Sequence, residues 1–101
     1  MNFEKLVRDN IPEIIKKDGK EAITHIAEEK EYQEKLEKKL QEEVDEFLED
    51  PSVEEAADIL EVLRTICVSK NIDISKLEEV RQAKANERGG FEKRIILDEV
   101  K

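Results

Sequence analysis

A short turn between two helix-periodic stretches is the feature that most constrains how this chain can fold. The turn is Asp50-Pro51-Ser52, and apolar residues recur every three or four positions on both sides of it. That period is typical of helices with one apolar face. Because so few residues join them, the two helices must run antiparallel and side by side. The sequence therefore predicts a helical hairpin with helices over about 31–49 and 52–70.

Two pairs of carboxylates lie at matched distances from this turn. Glu43 and Glu46 precede it, Glu55 and Asp58 follow it, and the members of each pair are three positions apart. Because a helix rises about 1.5 Å per residue, residues equally far from the turn reach the same height in antiparallel helices. We expect all four carboxylates to meet at one level. Converging anions repel one another unless a cation joins them, so the spacing indicates a divalent-metal site.

The helical projection indicates that some of these acids point inward. Glu43 borders the apolar arc of the first helix, and Glu55 falls within the apolar sector of the second. A buried carboxylate must be protonated, paired or bound to a metal. Two other interpretations stay open. Ser52 and Glu55 could form a capping box, unless Asp50 is the N-cap, and the acids could be solvated groups of a chain that is 45% charged.

The composition favours one small, acidic domain. The 101 residues predict a single domain over 1–101, and the net charge of -9 argues against nucleic-acid binding. No apolar run is long enough to cross a membrane or to serve as a signal peptide. The one cysteine, Cys67, has no partner for an internal disulfide, and we expect it to be a buried packing thiol. We therefore expect a cytoplasmic protein with no nucleic-acid or membrane partner.

The rest of the chain adds two helices and at most a minor strand element. One helix opens at Pro12, and a last helix begins at a capping box that starts with Ser75 and runs to about Arg88. Residues 22–27 and 95–97 could form a short two-strand element. The predicted fold class is mainly α, a helical bundle in which the helical hairpin carries the metal site.

A basic stripe follows the last helix of this acidic chain. Arg81, Lys84 and Arg88 have i, i+3, i+7 spacing, so they share one helix face. Two interpretations are open: the cations could stabilise the helix C-terminus through its dipole, or they could bind phosphate. Lys5 and Arg8 could extend such a phosphate-binding patch from the N-terminal segment.

The carboxylate motif and both ends of the chain resemble one enzyme family. Residues 42–46, Glu-Glu-Val-Asp-Glu, and residues 55–58, Glu-Ala-Ala-Asp, resemble the EExxE…ExxD signature of the MazG-type all-α nucleotide pyrophosphohydrolases. The opening at 5–12 and the closing Arg-Gly-Gly-Phe at 88–91 are similar to the phosphoribosyl-ATP pyrophosphohydrolase-like branch. Together these motifs span nearly the whole chain.

The resemblance implies an all-α bundle that forms a homodimer or a higher homo-oligomer. It implies hydrolysis of a nucleoside triphosphate or related phosphoanhydride between the α and β phosphates, giving a monophosphate and pyrophosphate. Housecleaning removal of aberrant nucleotides is a role that analogy suggests. The implied cofactor is Mg²⁺, with Mn²⁺ as a substitute, and the positions that match the family's ligands are Glu43, Glu46, Glu55 and Asp58.

Further candidate residues serve the substrate and the attacking water. Lys84 and Arg88 match family positions associated with phosphate contacts, and Arg8 is a third phosphate-binding candidate. A carboxylate, either Glu42 or Glu43, is the candidate for orienting or deprotonating the water.

Two departures from the family pattern keep other functions open. Eight residues separate Glu46 from Glu55, fewer than the family usually has, and Ala85 stands where the branch commonly has a second base. The alternatives are a non-catalytic nucleotide-binding module and a structural helical dimerisation module.

Overall fold

Helices form all the regular secondary structure in residues 4–101, the part of the chain that the structure describes. The structure is a computed structural model, in which the helices are α1 (Ile11–Lys17), α2 (Glu29–Glu49), α3 (Val53–Ser69) and α4 (Ile74–Arg88). The predicted mainly α class is confirmed. Within the same residues, none of the helices combines the length and the hydrophobicity that crossing a bilayer requires.

The two segments that the sequence allowed as strands are irregular. Residues 22–27 and 95–97 have no regular backbone structure. Ile23 and Ile26 are almost fully exposed, so the first segment lacks the buried apolar face that stabilises a strand. The optional two-strand element is therefore absent from the described residues.

The chain divides into two compact units, and the boundary follows Ile66 within α3. The first unit contains α1, α2 and most of α3. The second contains the end of α3, where Cys67 is a free and buried thiol as predicted, together with α4. A single domain over 1–101 stays a prediction.

The helical hairpin forms in the first unit and is closed by a side-chain cap. The Glu55 N–H donates to the Ser52 hydroxyl oxygen at 3.1 Å, so Ser52 caps the start of α3. Asp50 is instead the C-cap residue of α2. Leu36, on the apolar face of α2, is the most completely buried large side chain among the described residues.

The last helix begins at a cap on Asp73, so the predicted capping box starting at Ser75 is wrong. Asp73 is the N-cap of α4, since its carboxylate accepts the Ser75 N–H at 2.9 Å and the Ser75 hydroxyl at 2.7 Å. An ionised carboxylate is a stronger acceptor than a hydroxyl, so the cap lies before Ser75. Glu78 does not complete a capping box; it accepts two hydrogen bonds from Arg81.

One apolar stripe of α3 stays exposed. Val53 and Leu60 are 82% and 55% exposed, and Ala56 and Leu63 are exposed as well. These four positions share one helix face, with the three- and four-residue spacing of a helix–helix contact. The apolar sector predicted for α3 is thus only partly covered within the described chain.

Candidate metal centre

Three carboxylates converge between the two helices of the hairpin. Glu43 projects from α2, while Glu55 and Asp58 project from the N-terminal part of α3. Each supplies one oxygen, and the three oxygens lie within 4.8 Å of one another. The short connection places the two α3 acids beside Glu43, because α3 must fold back along α2. The hairpin therefore creates an oxygen cluster from residues on both sides of the turn.

Two oxygens of these carboxylate groups are buried and have no hydrogen-bond partner among the described residues. They are Oε2 of Glu43 and Oε2 of Glu55. Glu43 is only 6% exposed, and it is the one buried charged residue among the described residues. Since a buried acceptor without a partner costs about 1–3 kcal/mol, and more when it is charged, such atoms need an explanation. A bound cation would supply the missing partner for both.

The acid–base character of Glu43 follows from its position. Burial raises its pKa, because a low-dielectric environment disfavours the anion, and the negative charges of Glu46 and Asp58 add to the rise. Lys39 opposes them: its Nζ lies 3.2 Å from Oε1 of Glu43. One lysine therefore offsets only part of the cost of ionising Glu43 in this cluster.

Glu46, the fourth predicted ligand, is exposed and lies outside the cluster of three oxygens. It is still close enough to Glu43 to act on that residue's pKa. Matched spacing from the turn fixes the height of a residue along the helix but not the direction of its side chain. Residues three positions apart differ by about 60° around the axis, which is why Glu43 faces α3 and Glu46 faces solvent.

Three cationic side chains surround the acids. Lys39 and Lys5 lie 3.7 Å and 3.6 Å from Oε1 of Glu42, the candidate for orienting water. Arg8 donates a hydrogen bond from Nη2 to Oδ1 of Asp58 at 2.7 Å. Both basic residues of the N-terminal segment therefore contact acids of the hairpin.

The phosphate-binding candidates of α4 lie in the second unit. Lys84 and Arg88 are exposed on this helix. Arg81, the third member of the basic stripe, forms an ion pair with Glu78 in which its Nη2 is 2.6 Å from a carboxylate oxygen. Phosphate binding by Lys84 and Arg88 therefore stays a prediction, whereas Arg81 forms an ion pair within α4.

Sequence reasoning missed Lys39 as part of this centre. Its spacing was a usable signal, since residues three and four positions apart on a helix are neighbours and Lys39 has this relation to Glu42 and Glu43. The contact of Arg8 with Asp58 had no such signal, because 50 positions separate the two residues.

The donor set fits a hard divalent cation. All three converging ligands are carboxylate oxygens, which Mg²⁺ and Mn²⁺ prefer over nitrogen or sulfur donors. Oxygens around one Mg²⁺ lie about 3–4 Å apart, because each is about 2.1 Å from the ion. The three oxygens, which lie within 4.8 Å of one another, would have to move slightly closer together to share one ion.

Comparison with known proteins adds no family assignment. The chain matches no protein-family model, and no curated protein and no solved structure matches it significantly. The geometry of the carboxylate cluster and the motifs of the sequence are therefore the features that indicate a function.

Proposed function

We propose that this protein is a Mg²⁺-dependent nucleoside triphosphate pyrophosphohydrolase. It cleaves the α–β phosphoanhydride and releases a nucleoside monophosphate and pyrophosphate, with Mn²⁺ as a substitute metal. The observation that carries the metal site is the pair of buried, unpartnered Oε2 atoms of Glu43 and Glu55 beside Asp58. The family resemblance supports this reaction class. By analogy, it also supports a housecleaning role in which the protein removes aberrant nucleotides.

In this proposal the metal is held by the three converging carboxylates, with Glu46 as the fourth. Glu46 is exposed on the same helix as Glu43, so its side chain is free of packing that would prevent rotation. When bound, Mg²⁺ neutralises polyphosphate charge and makes a water more acidic. Glu42, which shares the Lys39 ammonium group with Glu43 and is only partly exposed, orients or deprotonates the attacking water.

Charge explains why the substrate needs both metal and basic residues. The chain has a net charge of -9, so a triphosphate is repelled unless cations gather at the site. Arg8 already lies at the cluster through Asp58. Lys84 and Arg88 supply further phosphate contacts in the proposal, since arginine and lysine both bind phosphate oxygens.

The protein acts as a homodimer or higher homo-oligomer in this proposal. The exposed stripe of Val53, Ala56, Leu60 and Leu63 supports it, because a second copy of α3 would bury these side chains. A cytoplasmic location is part of the proposal, and the free, buried thiol of Cys67 is consistent with a reducing compartment. The acidic surface supports the absence of nucleic-acid and membrane partners.

The test is a panel of nucleoside triphosphates, covering the common ribo- and deoxynucleotides and their oxidised or alkylated forms. Each is incubated with the protein and Mg²⁺, and pyrophosphate is measured. Metal-dependent pyrophosphate release from at least one nucleotide is expected, and EDTA should abolish it. Release of orthophosphate instead would contradict cleavage at the α–β bond.

The competing function is a structural helical dimerisation module, which the exposed stripe of α3 also fits. A non-catalytic nucleotide-binding module is the other alternative. A dimer without any Mg²⁺ effect on its melting temperature would favour the structural module. Nucleotide-dependent stabilisation without any product would favour the binding module.

A further inference from the structure

The ion pair of Arg8 with Asp58 crosses from the N-terminal segment to α3. Nη2 of Arg8 lies 2.7 Å from Oδ1 of Asp58, and within residues 4–101 this is the only hydrogen bond of the guanidinium group. No described residue accepts a hydrogen bond from the other N–H donors of that group. The backbone at this position is anchored separately, because the Arg8 carbonyl accepts the Ile11 N–H at 3.1 Å. The side chain can therefore change partner without moving the segment.

The Arg8 side chain is more exposed than that of Lys39, the other cation that contacts one of the three converging carboxylates. The Arg8 side chain is 59% exposed, whereas that of Lys39 is 18% exposed and contacts two glutamates of its own helix. Exposed ion pairs contribute little to stability and exchange readily. Lys39 is thus a fixed counter-ion of α2, and Arg8 is a replaceable one.

Asp58 is both the partner of Arg8 and one of the three converging ligands. A dication bound by this carboxylate competes with the guanidinium for it, since like charges repel at this distance. The displaced guanidinium stays at the edge of the centre, because its backbone is held next to α1. Its planar fork of donors suits phosphate oxygens, which it can bind through two parallel hydrogen bonds.

We propose that Arg8 exchanges partners during the binding cycle: it neutralises Asp58 in the metal-free protein and binds the polyphosphate once the metal occupies the cluster. This inference rests on the proposed function. It makes Arg8 a substrate-binding residue whose availability depends on the metal, so that metal binds first and polyphosphate second. Arg8 should therefore weaken the binding of the metal and strengthen the binding of the polyphosphate.

Calorimetry with two probes tests the exchange. Mg²⁺ alone is titrated into the metal-free protein, and inorganic tripolyphosphate is titrated into the Mg²⁺-saturated protein. Arg8→Ala should bind Mg²⁺ about threefold more tightly, because a weak competing ion pair is gone. It should bind tripolyphosphate at least about tenfold more weakly, because charge-assisted hydrogen bonds are lost. Arg8→Lys should fall between it and the unmodified protein for tripolyphosphate.

The matched control is Arg64→Ala, which removes the same charge from an exposed position of α3. Weaker Mg²⁺ binding by Arg8→Ala, or tripolyphosphate affinity equal to that of Arg64→Ala, overturns the exchange. If the unmodified protein binds Mg²⁺ and hydrolyses nucleotides, but Arg8→Ala and Arg64→Ala have equal affinities for both probes, the exchange is wrong and the proposed function stands. If the unmodified protein binds no Mg²⁺, the proposed function fails and the exchange fails with it.

Discussion

Glu43 on α2 and Asp58 on α3 bring carboxylate oxygens within 4.8 Å of each other. In the metal-free protein the Asp58 charge adds to the burial that raises the pKa of Glu43. The same closeness that makes the pair a candidate metal site therefore destabilises the folded chain when both groups are ionised. This relationship determines how stability and metal affinity should respond to mutation and to pH.

Glu43→Gln should stabilise the metal-free protein at neutral pH, because burial and the charges of Glu46 and Asp58 raise the pKa of Glu43 despite the opposing effect of Lys39, and an amide carries no charge. The folded state holds the Glu43 proton more tightly than the unfolded state does. The penalty is therefore present above the raised pKa and fades as the pH falls and the carboxyl is protonated. Chemical denaturation in EDTA at several pH values measures the difference.

Glu37→Gln, at an exposed position of the same helix, is the control for that experiment. It should leave the free energy of unfolding within about 0.5 kcal/mol of the unmodified value. A metal-free Glu43→Gln protein that is less stable than the unmodified protein at neutral pH would contradict the buried, ionised carboxylate.

Mg²⁺ should stabilise the protein, and the effect should weaken in acid. A ligand at about 100 times its Kd adds about 2.7 kcal/mol to the free energy of unfolding. Because the metal binds the ionised Glu43, its affinity should fall as the pH drops through the raised pKa of that group, at a higher pH than an ordinary exposed glutamate would give. Titration calorimetry in buffers of different ionisation enthalpy measures the accompanying proton release. Affinity that is independent of pH would exclude Glu43 as a ligand.

Glu55→Gln should reduce pyrophosphate release at least about 100-fold, because it removes a ligand of the essential metal. The helix content by circular dichroism should be unchanged, since the backbone N–H at this position still donates to the Ser52 hydroxyl oxygen. Glu54→Gln is the matched control: the same change one position earlier, at an exposed site, should retain activity. Equal activity of Glu55→Gln and Glu54→Gln would show that Glu55 is not a metal ligand.

Leu60→Glu should disrupt self-association, because it places a charge in the exposed apolar stripe of α3. Sedimentation velocity should show a dimer or larger species for the unmodified protein and at least about tenfold weaker association for the variant. Glu61→Gln, at a neighbouring exposed position, should leave the oligomer intact. If the unmodified protein is monomeric at high concentration, the exposed stripe of α3 is not a self-association surface.

The hairpin could be predicted from local rules because its determinants are local. The first long helix was predicted to begin at about residue 31 and begins at Glu29. It ends at Glu49, as predicted. Burial of Glu43 followed from its place beside the apolar arc. At Glu55 only half of the possible capping box forms: Ser52 accepts the backbone N–H, while one carboxylate oxygen is buried with no partner among the described residues.

The remaining features depend on directions and contacts that spacing does not encode. The exposure of Glu46 reflects the rotation of its side chain around α2, although its height was predicted. The Arg8–Asp58 pair joins residues 50 positions apart. The N-cap at Asp73 prevailed over the expected capping box because a carboxylate two residues before Ser75 is the stronger acceptor.

The most direct test of the metal site is a crystal of the protein soaked in Mn²⁺ and measured for anomalous scattering. A peak should lie among the oxygens of Glu43, Glu55 and Asp58, within coordination distance of each. Ordered carboxylates with no peak between them, or peaks only at exposed surface acids, would contradict a metal site at Glu43, Glu55 and Asp58.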